Sequence, residues 1–215
     1  MATLYIFAGL PGTGKTTLSQ QLAQRLRATH LRIDTIEQAL RDLCQFQVEG
    51  EGYRLSYRIA ADNLRLGLDV VADSCNTIEL TRRQWEQVAI DNGSDFVNIE
   101  TICTDAEEHR RRIESRSSNI EGLKLPTWQS VKDREYHDWS TDRIVVDTAG
   151  QSVNPCLDLL IQSMAKDEAP QQKICMRSRE PRGFQCFVCL PRPDESGRYP
   201  ATPSAVNTLI QWSKL

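Results

Sequence analysis

The chain has 215 residues, of which 40% are hydrophobic and 26% charged, and its net charge is −3. That length suits one well-buried α/β domain with an appendage and excludes two large domains, while the slight acidity excludes a global basic field of the kind that draws a protein onto nucleic acid or an anionic membrane. No apolar stretch approaches the ~18 residues of a membrane helix, and the N-terminus enters a strand-like run without a charged and then apolar leader, so a cytoplasmic protein is expected, with its cysteines reduced.

The first apolar run, Leu4 to Ala8, opens directly into Gly9, Leu10, Pro11, Gly12, Thr13, Gly14, Lys15 and Thr16. These residues fit G-x-x-x-x-G-K-[ST] in its required context, a strand before and an amphipathic helix after, the helix marked by Leu18, Leu22 and Leu26. Glycines let the backbone fold into a nest of N–H groups around phosphates. The following helix points its positive end at them, and Lys15 adds a point charge toward the β and γ positions. Thr16 can place its hydroxyl on magnesium, with Thr17 beside it in the phosphate-binding stretch. ATP and Mg²⁺ are therefore the expected ligands.

Further strand-like runs cover His30 to Asp34, Leu68 to Asp73, Phe96 to Cys103 and Arg143 to Asp147, with helical patterns between them. Such alternation predicts a five-stranded, doubly wound parallel sheet. Ligands bind outside the carboxyl ends of parallel strands, so Asp34 and Asp73 are expected to meet the P-loop on one edge. One can act as base for an acceptor hydroxyl, the other as its helper, and either can reach magnesium through water. Asp34 also suits a helix N-cap. Ser74 or Asn76 could add a hydrogen bond to the acceptor.

After the fourth strand, "DAEEHRRRIESR" sets Arg112 and Arg116 four apart on one helical face. An arginine closing over the transferred phosphoryl group suits its charge; the competing reading is a solvated basic helix paired with Glu107, Glu108 and Glu114. The polar stretch "SRSSNIEGLKLP" suits a hinged lid. Farther on, "VVDTAGQ" looks like the switch strand of small GTPases, but it lies at the far end of the pattern and no Asn-Lys-x-Asp motif occurs. Thr148, Ala149 and Gly150 are instead expected beside the nucleotide base.

Beyond Lys166 the texture becomes rich in Pro, Arg and Ser without a sustained period. Residues 1–166 are expected to form the catalytic domain and residues 167–215 a mobile or loosely packed tail. Cys175, Cys186 and Cys189 lack a histidine partner in that tail, so no metal site is expected there.

Five ordered motifs, "GLPGTGKTT", "RIDTIEQAL", "VVADSCNTIELTRRQWEQVA", "CTDAEEHRRRIESR" and "DRIVVDTAG", together resemble the small P-loop kinases, a set that includes polynucleotide 5′-kinases, gluconate kinases, chloramphenicol phosphotransferases and zeta toxins. The resemblance covers Thr3 to Met164. It implies an α/β P-loop NTPase fold of the nucleoside and nucleotide kinase type: a five-stranded parallel sheet sandwiched by helices, with a helical lid. It also implies Asp34 as general base, Asp73 as supporting acid, and Arg112 or Arg116 on the β- and γ-phosphates. Where the polynucleotide kinases place an arginine three residues after the base, this chain has Glu37. An acid there repels a substrate phosphate and points to a small neutral or cationic hydroxyl compound, with a nucleic-acid end as the second acceptor reading. Acceptor contacts are expected within Asp42 to Arg65, from Glu49, Tyr53, Arg54, Tyr57 and Arg58. A third reading, of another class, is a nucleotide-binding switch or regulatory ATPase. Nothing in the sequence sets an oligomeric state.

Overall fold

A computed structural model describes residues 1–167. In chain order the elements are β1 (Thr3–Ala8), α1 (Lys15–Leu26), β2 (Thr29–Arg32), α2 (Ile33–Cys44), α3 (Glu51–Arg65), β3 (Val70–Asp73), α4 (Glu79–Asp91), β4 (Asp95–Ile102), α5 (Ala106–Ser115), α6 (Trp128–Lys132), β5 (Ile144–Asp147) and α7 (Val153–Asp167). The five strands form one sheet in the order β2-β3-β1-β4-β5, and every pairing is parallel. Residues 167–215 were expected to form a tail, and apart from Asp167 that stretch lies outside the described residues, with the tail cysteines.

Alternation along the strands splits the core in two. Leu4, Ile6, Leu31, Val70 and Ala72 face α3 and α4, where Ala60, Leu64, Trp85 and Ala89 complete a buried cluster. Phe7, Val71, Ile99 and Val146 face the other way and meet Leu18 and Leu22 of α1 and Cys156 and Leu160 of α7. Both faces of β1 and β3 are therefore covered, which explains their nearly unbroken apolar runs and fixes the P-loop at the centre of the sheet edge.

The second strand is shorter than its sequence pattern suggests. β2 pairs with β3 only from Thr29↔Val70 to Arg32↔Asp73, and there the partner strand ends. Ile33 turns inward as the first residue of α2 and is 3% exposed. Asp34 thus lies in the first turn of α2 instead of at a strand end. Nor is it the cap: Arg32 holds that position and no side chain caps the helix. A carboxylate in a first helical turn is favoured by the axial dipole.

One buried side chain secures the far wall. Arg82 of α4 is 2% exposed, and its guanidinium donates to the carbonyls of Asn76 (2.8 Å), Thr77 (2.9 Å), His137 (2.8 Å) and Asp138 (3.1 Å). It also lies 4.1 Å from the Trp139 ring centroid. The irregular stretch after α6 is thereby fastened to the loop that follows β3. No helix among the described residues is long and apolar enough to cross a membrane.

Candidate active site

A single cleft of about 1240 Å³ opens at the carboxyl edge of the sheet, and Gly12, Lys15, Thr16, Asp34, Asp73 and Arg116 are among the residues that line it. The P-loop occupies its floor. Gly9 has φ 138° and Gly12 φ 84°, conformations that favour glycine. A Cβ on Gly9 would be driven into the Thr101 carbonyl oxygen, and one on Gly12 would sit 2.6 Å from Ile113 Cδ1. The loop is braced from outside by groups far away in sequence. Gly9 N donates to the Cys75 carbonyl at 2.9 Å, and the Thr13 and Thr101 hydroxyls meet at 2.8 Å. His109 Nε2 lies 2.7 Å from the Pro11 carbonyl, and the Thr148 hydroxyl donates to the Thr13 carbonyl at 3.0 Å. These ties hold the shape of the loop from outside. Lys15 is 7% exposed and donates from Nζ to the Leu10 carbonyl at 2.8 Å.

Asp73 closes β3 and is 3% exposed. Its Oδ2 is buried without a hydrogen-bond partner among the described residues, and His30 Nε2 and Arg32 Nε both stand 3.9 Å away. Burial pushes the Asp73 carboxyl above its ordinary range, Lys15, Thr16 and His30 pull it back, and Asp34 pushes it up again. Burial likewise moves His30 below the ordinary imidazole value. A carboxylate oxygen without a partner beside the Thr16 hydroxyl is an oxygen-donor pair of the kind a hard cation takes. Thr16 and Asp73 therefore fit Mg²⁺.

Arg112 of α5 and Arg116 just past it part company. Arg112 is committed: it donates to Glu108 Oε1 at 2.7 Å, to the Thr148 hydroxyl at 2.8 Å and to the Thr148 carbonyl at 2.8 Å. Glu108 in turn accepts from Gly150 N at 2.8 Å, so Arg112, Glu108, Thr148 and Gly150 form one knot beside the P-loop. The expected ion-paired helix is present here and in the Arg110–Glu114 pair at 2.8 Å. Arg116, one residue past the helix, has a buried Nε without a partner among the described residues. Burial lowers the pKa of its guanidinium, and Cys75 and Asp34 are the nearby groups that act against this. It stands on the Asp34 side of the cleft.

Other expected contacts fall elsewhere. Asn76 is 1% exposed and donates from Nδ2 to the Phe7 carbonyl at 2.7 Å, tying the loop after β3 to β1 instead of lining the cleft. Tyr57 packs edge-on against Trp85 at 4.6 Å and donates to Gln84, so it belongs to the core. Glu49, Arg54 and Arg58 are exposed and do not line the cleft, whereas Tyr53 and Ser74 do. Sequence reasoning passed over Arg32, Gln38, Arg41 and Arg134, all of which line the cleft. Arg32, Arg41 and Arg134 signal only by lying near the ends of α2 and α6, and Gln38 by its burial within α2. His109 was also missed; burial of a histidine on the face that carries Ile113 was its one trace.

A P-loop at the centre of a parallel sheet, with two acids and two arginines lining the same cleft, has the build of a small P-loop kinase. Residues 4–134 match the AAA domain family, and the chain belongs to it. It is 26% identical over 169 residues to the adenylyl-sulfate kinase of Synechococcus sp. (strain JA-2-3B'a(2-13)), covering 74% of this chain and 91% of that kinase. The fold is similar to that of the Mycobacterium tuberculosis APS kinase in complex with AMPPNP and APS, with a TM-score of 0.58, 16% identity, and 76% of this chain and 98% of that one covered. It also resembles a gluconokinase from Sinorhizobium meliloti 1021, with a TM-score of 0.55, 13% identity, and 76% and 92% covered.

Proposed function

We propose that the protein moves the γ-phosphoryl group of ATP to a hydroxyl group of a small molecule. The reading is carried by one observation: the P-loop Lys15 and Thr16 share a single cleft with Asp34 and Asp73, donor residues on the floor and carboxylates on the wall beside them. The kinases named above, acting on an adenylyl sulfate and in one case on gluconate, support a small hydroxyl compound as the acceptor.

In this reading the P-loop N–H groups and Lys15 hold the donor phosphates, and Thr16 and Asp73 hold magnesium. When bound, the cation neutralises charge on the β- and γ-phosphate oxygens. Asp34 accepts the proton of the acceptor hydroxyl as its oxygen forms a bond to the γ-phosphorus; the bond from that phosphorus to the bridging oxygen breaks, and the electron pair leaves with ADP. Arg112 orders the Thr148 loop at the nucleotide end, while Arg116 stands at the junction with the acceptor. The stretch from Arg116 to Thr127 forms the lid edge and excludes water when substrate is present.

The test is the destination of the phosphate. With ATP labelled at the γ position, ADP formation should require an added hydroxyl compound and should leave the label on that compound. Label released only as inorganic phosphate, at a rate indifferent to every acceptor, would instead make the protein a regulatory ATPase.

A further inference from the structure

At the acceptor end the cleft wall carries Arg32, Arg116 and Arg134, from β2, from just past α5 and from just past α6. Three cations converge here, Arg32 and Arg134 being close enough to Arg116 to act on its charge, and the acids that face them are Asp73 beside Arg32 and Asp34 near Arg116. Arg116 and Arg134 form no ion pair within 4 Å among the described residues, and the nearest acid to Arg32 is Asp73 at 3.9 Å, beyond hydrogen-bond reach. Arg32 donates from one terminal nitrogen to Asn119 Oδ1 at 2.7 Å, which fixes the guanidinium plane. The Nε atoms of both Arg32 and Arg116 are buried and have no partner among the described residues. A buried donor left without an acceptor carries the cost of its lost hydration. Two of them beside a third guanidinium make an arrangement that a ligand completes.

Glu37 does not fill that role. It is bonded to Arg41 at 3.3 Å, and burial raises its carboxyl above the ordinary range while Arg41 draws it down. Its charge is met on its own helix, so the repulsion of a substrate phosphate expected from the sequence is offset. The donor phosphates, for their part, are met by Lys15 and the P-loop nest. What faces Arg32, Arg116 and Arg134 is the space next to Asp34. One planar carboxylate would engage one guanidinium fork, whereas three separate forks suit a tetrahedral oxyanion with several oxygens.

Building on the kinase reading above, we infer that the acceptor carries, besides its hydroxyl, a phosphate or sulfate group bound by Arg32, Arg116 and Arg134. The hydroxyl then lies at Asp34 because the oxyanion anchors the other end of the same molecule. This reverses the neutral or cationic acceptor that Glu37 suggests when read alone.

The test has a binding arm and a turnover arm. With AMPPNP and magnesium saturating the donor half of the full chain, inorganic sulfate is titrated calorimetrically into the parent protein and into Arg134→Gln and Arg32→Gln. Binding should weaken about tenfold or more in each variant, in keeping with charge-assisted bonds of ~1.5–3 kcal/mol. Arg134 is exposed, so its variant should fold even where Arg32→Gln does not. No sulfate binding, or equal binding by Arg134→Gln, overturns the inference. In the turnover arm, phosphorylated and sulfated hydroxyl compounds are compared with their neutral parents. The esters should show the higher kcat/KM, and Arg134→Gln should raise their KM with the KM for ATP unchanged. Equal turnover of the neutral parents overturns the anion site yet leaves the kinase reading intact. Transfer confined to phosphate-bearing oligonucleotide ends keeps the site and overturns the small-molecule reading. Sulfate binding that depends on Arg134 without transfer to any acceptor likewise keeps the site and overturns the kinase reading.

Discussion

Replacing Arg82 by alanine should be among the most damaging single changes in the described chain. Its guanidinium meets four carbonyls, and the bonds to Asn76 and Thr77 are buried, so those two oxygens stay dry when the donor is removed. At ~1–3 kcal/mol for each stranded group, with ~1 kcal/mol more for the lost stacking on Trp139, the loss comes to about 5 kcal/mol. The carbonyls of His137 and Asp138 lie nearer the surface and recover most of their bonding from water. Against a typical stability of ~5–15 kcal/mol, such a loss leaves the domain marginal. Urea unfolding followed by tryptophan fluorescence should show the drop, with Arg82→Lys intermediate because an ammonium reaches fewer of the carbonyls. An Arg82→Ala protein that unfolds within about 1 kcal/mol of the parent, a size ordinary for any substitution, would refute the staple.

Other changes give separate readouts. Gly9→Ala places a methyl group against the Thr101 carbonyl at φ 138°; a loss of about 2 kcal/mol or more and failure to retain ATP on a filter are expected. Arg112→Ala cuts the knot with Glu108 and Thr148 and should weaken nucleotide binding by about tenfold, ~1.4 kcal/mol, in a calorimetric titration. Glu100 is opposed by burial, but hydrogen bonds from Tyr136 and Arg143 prevail and hold its carboxyl below the ordinary range. With the folded value depressed, its contribution is present above the unfolded pKa and is lost as pH falls through the folded one. Melting temperatures of Glu100→Gln should therefore fall less steeply than the parent's as pH drops below the ordinary carboxylate range.

Much of the fold is legible in the sequence because its signals are local: short apolar runs, helical spacing, and a phosphate loop whose glycines and lysine sit within eight residues. Asp73 is equally readable, since the strand that carries it runs to the sheet edge. Asp34 is only half readable. Its neighbours look extended, yet the length of β2 is set by where β3 stops, a non-local fact. Arg82 looks like one more surface arginine in "TRRQW" until the stretch around His137 folds over it. The same holds for His109 on the Pro11 carbonyl and for Arg32 on Asn119. Each acquires its place from a partner many residues away, and only the closed topology brings the pair together.

Transfer in the proposed reaction turns on a carboxylate that takes a proton from an acceptor hydroxyl. The most direct measurement compares the parent with Asp34→Asn in the transfer of labelled γ-phosphate to an acceptor, with ATP binding measured on the same samples. Transfer should fall by ~10²–10⁴-fold, the usual contribution of a positioned base, while ATP binds as in the parent. An Asp34→Asn protein that phosphorylates the acceptor at the parent's rate would contradict the account.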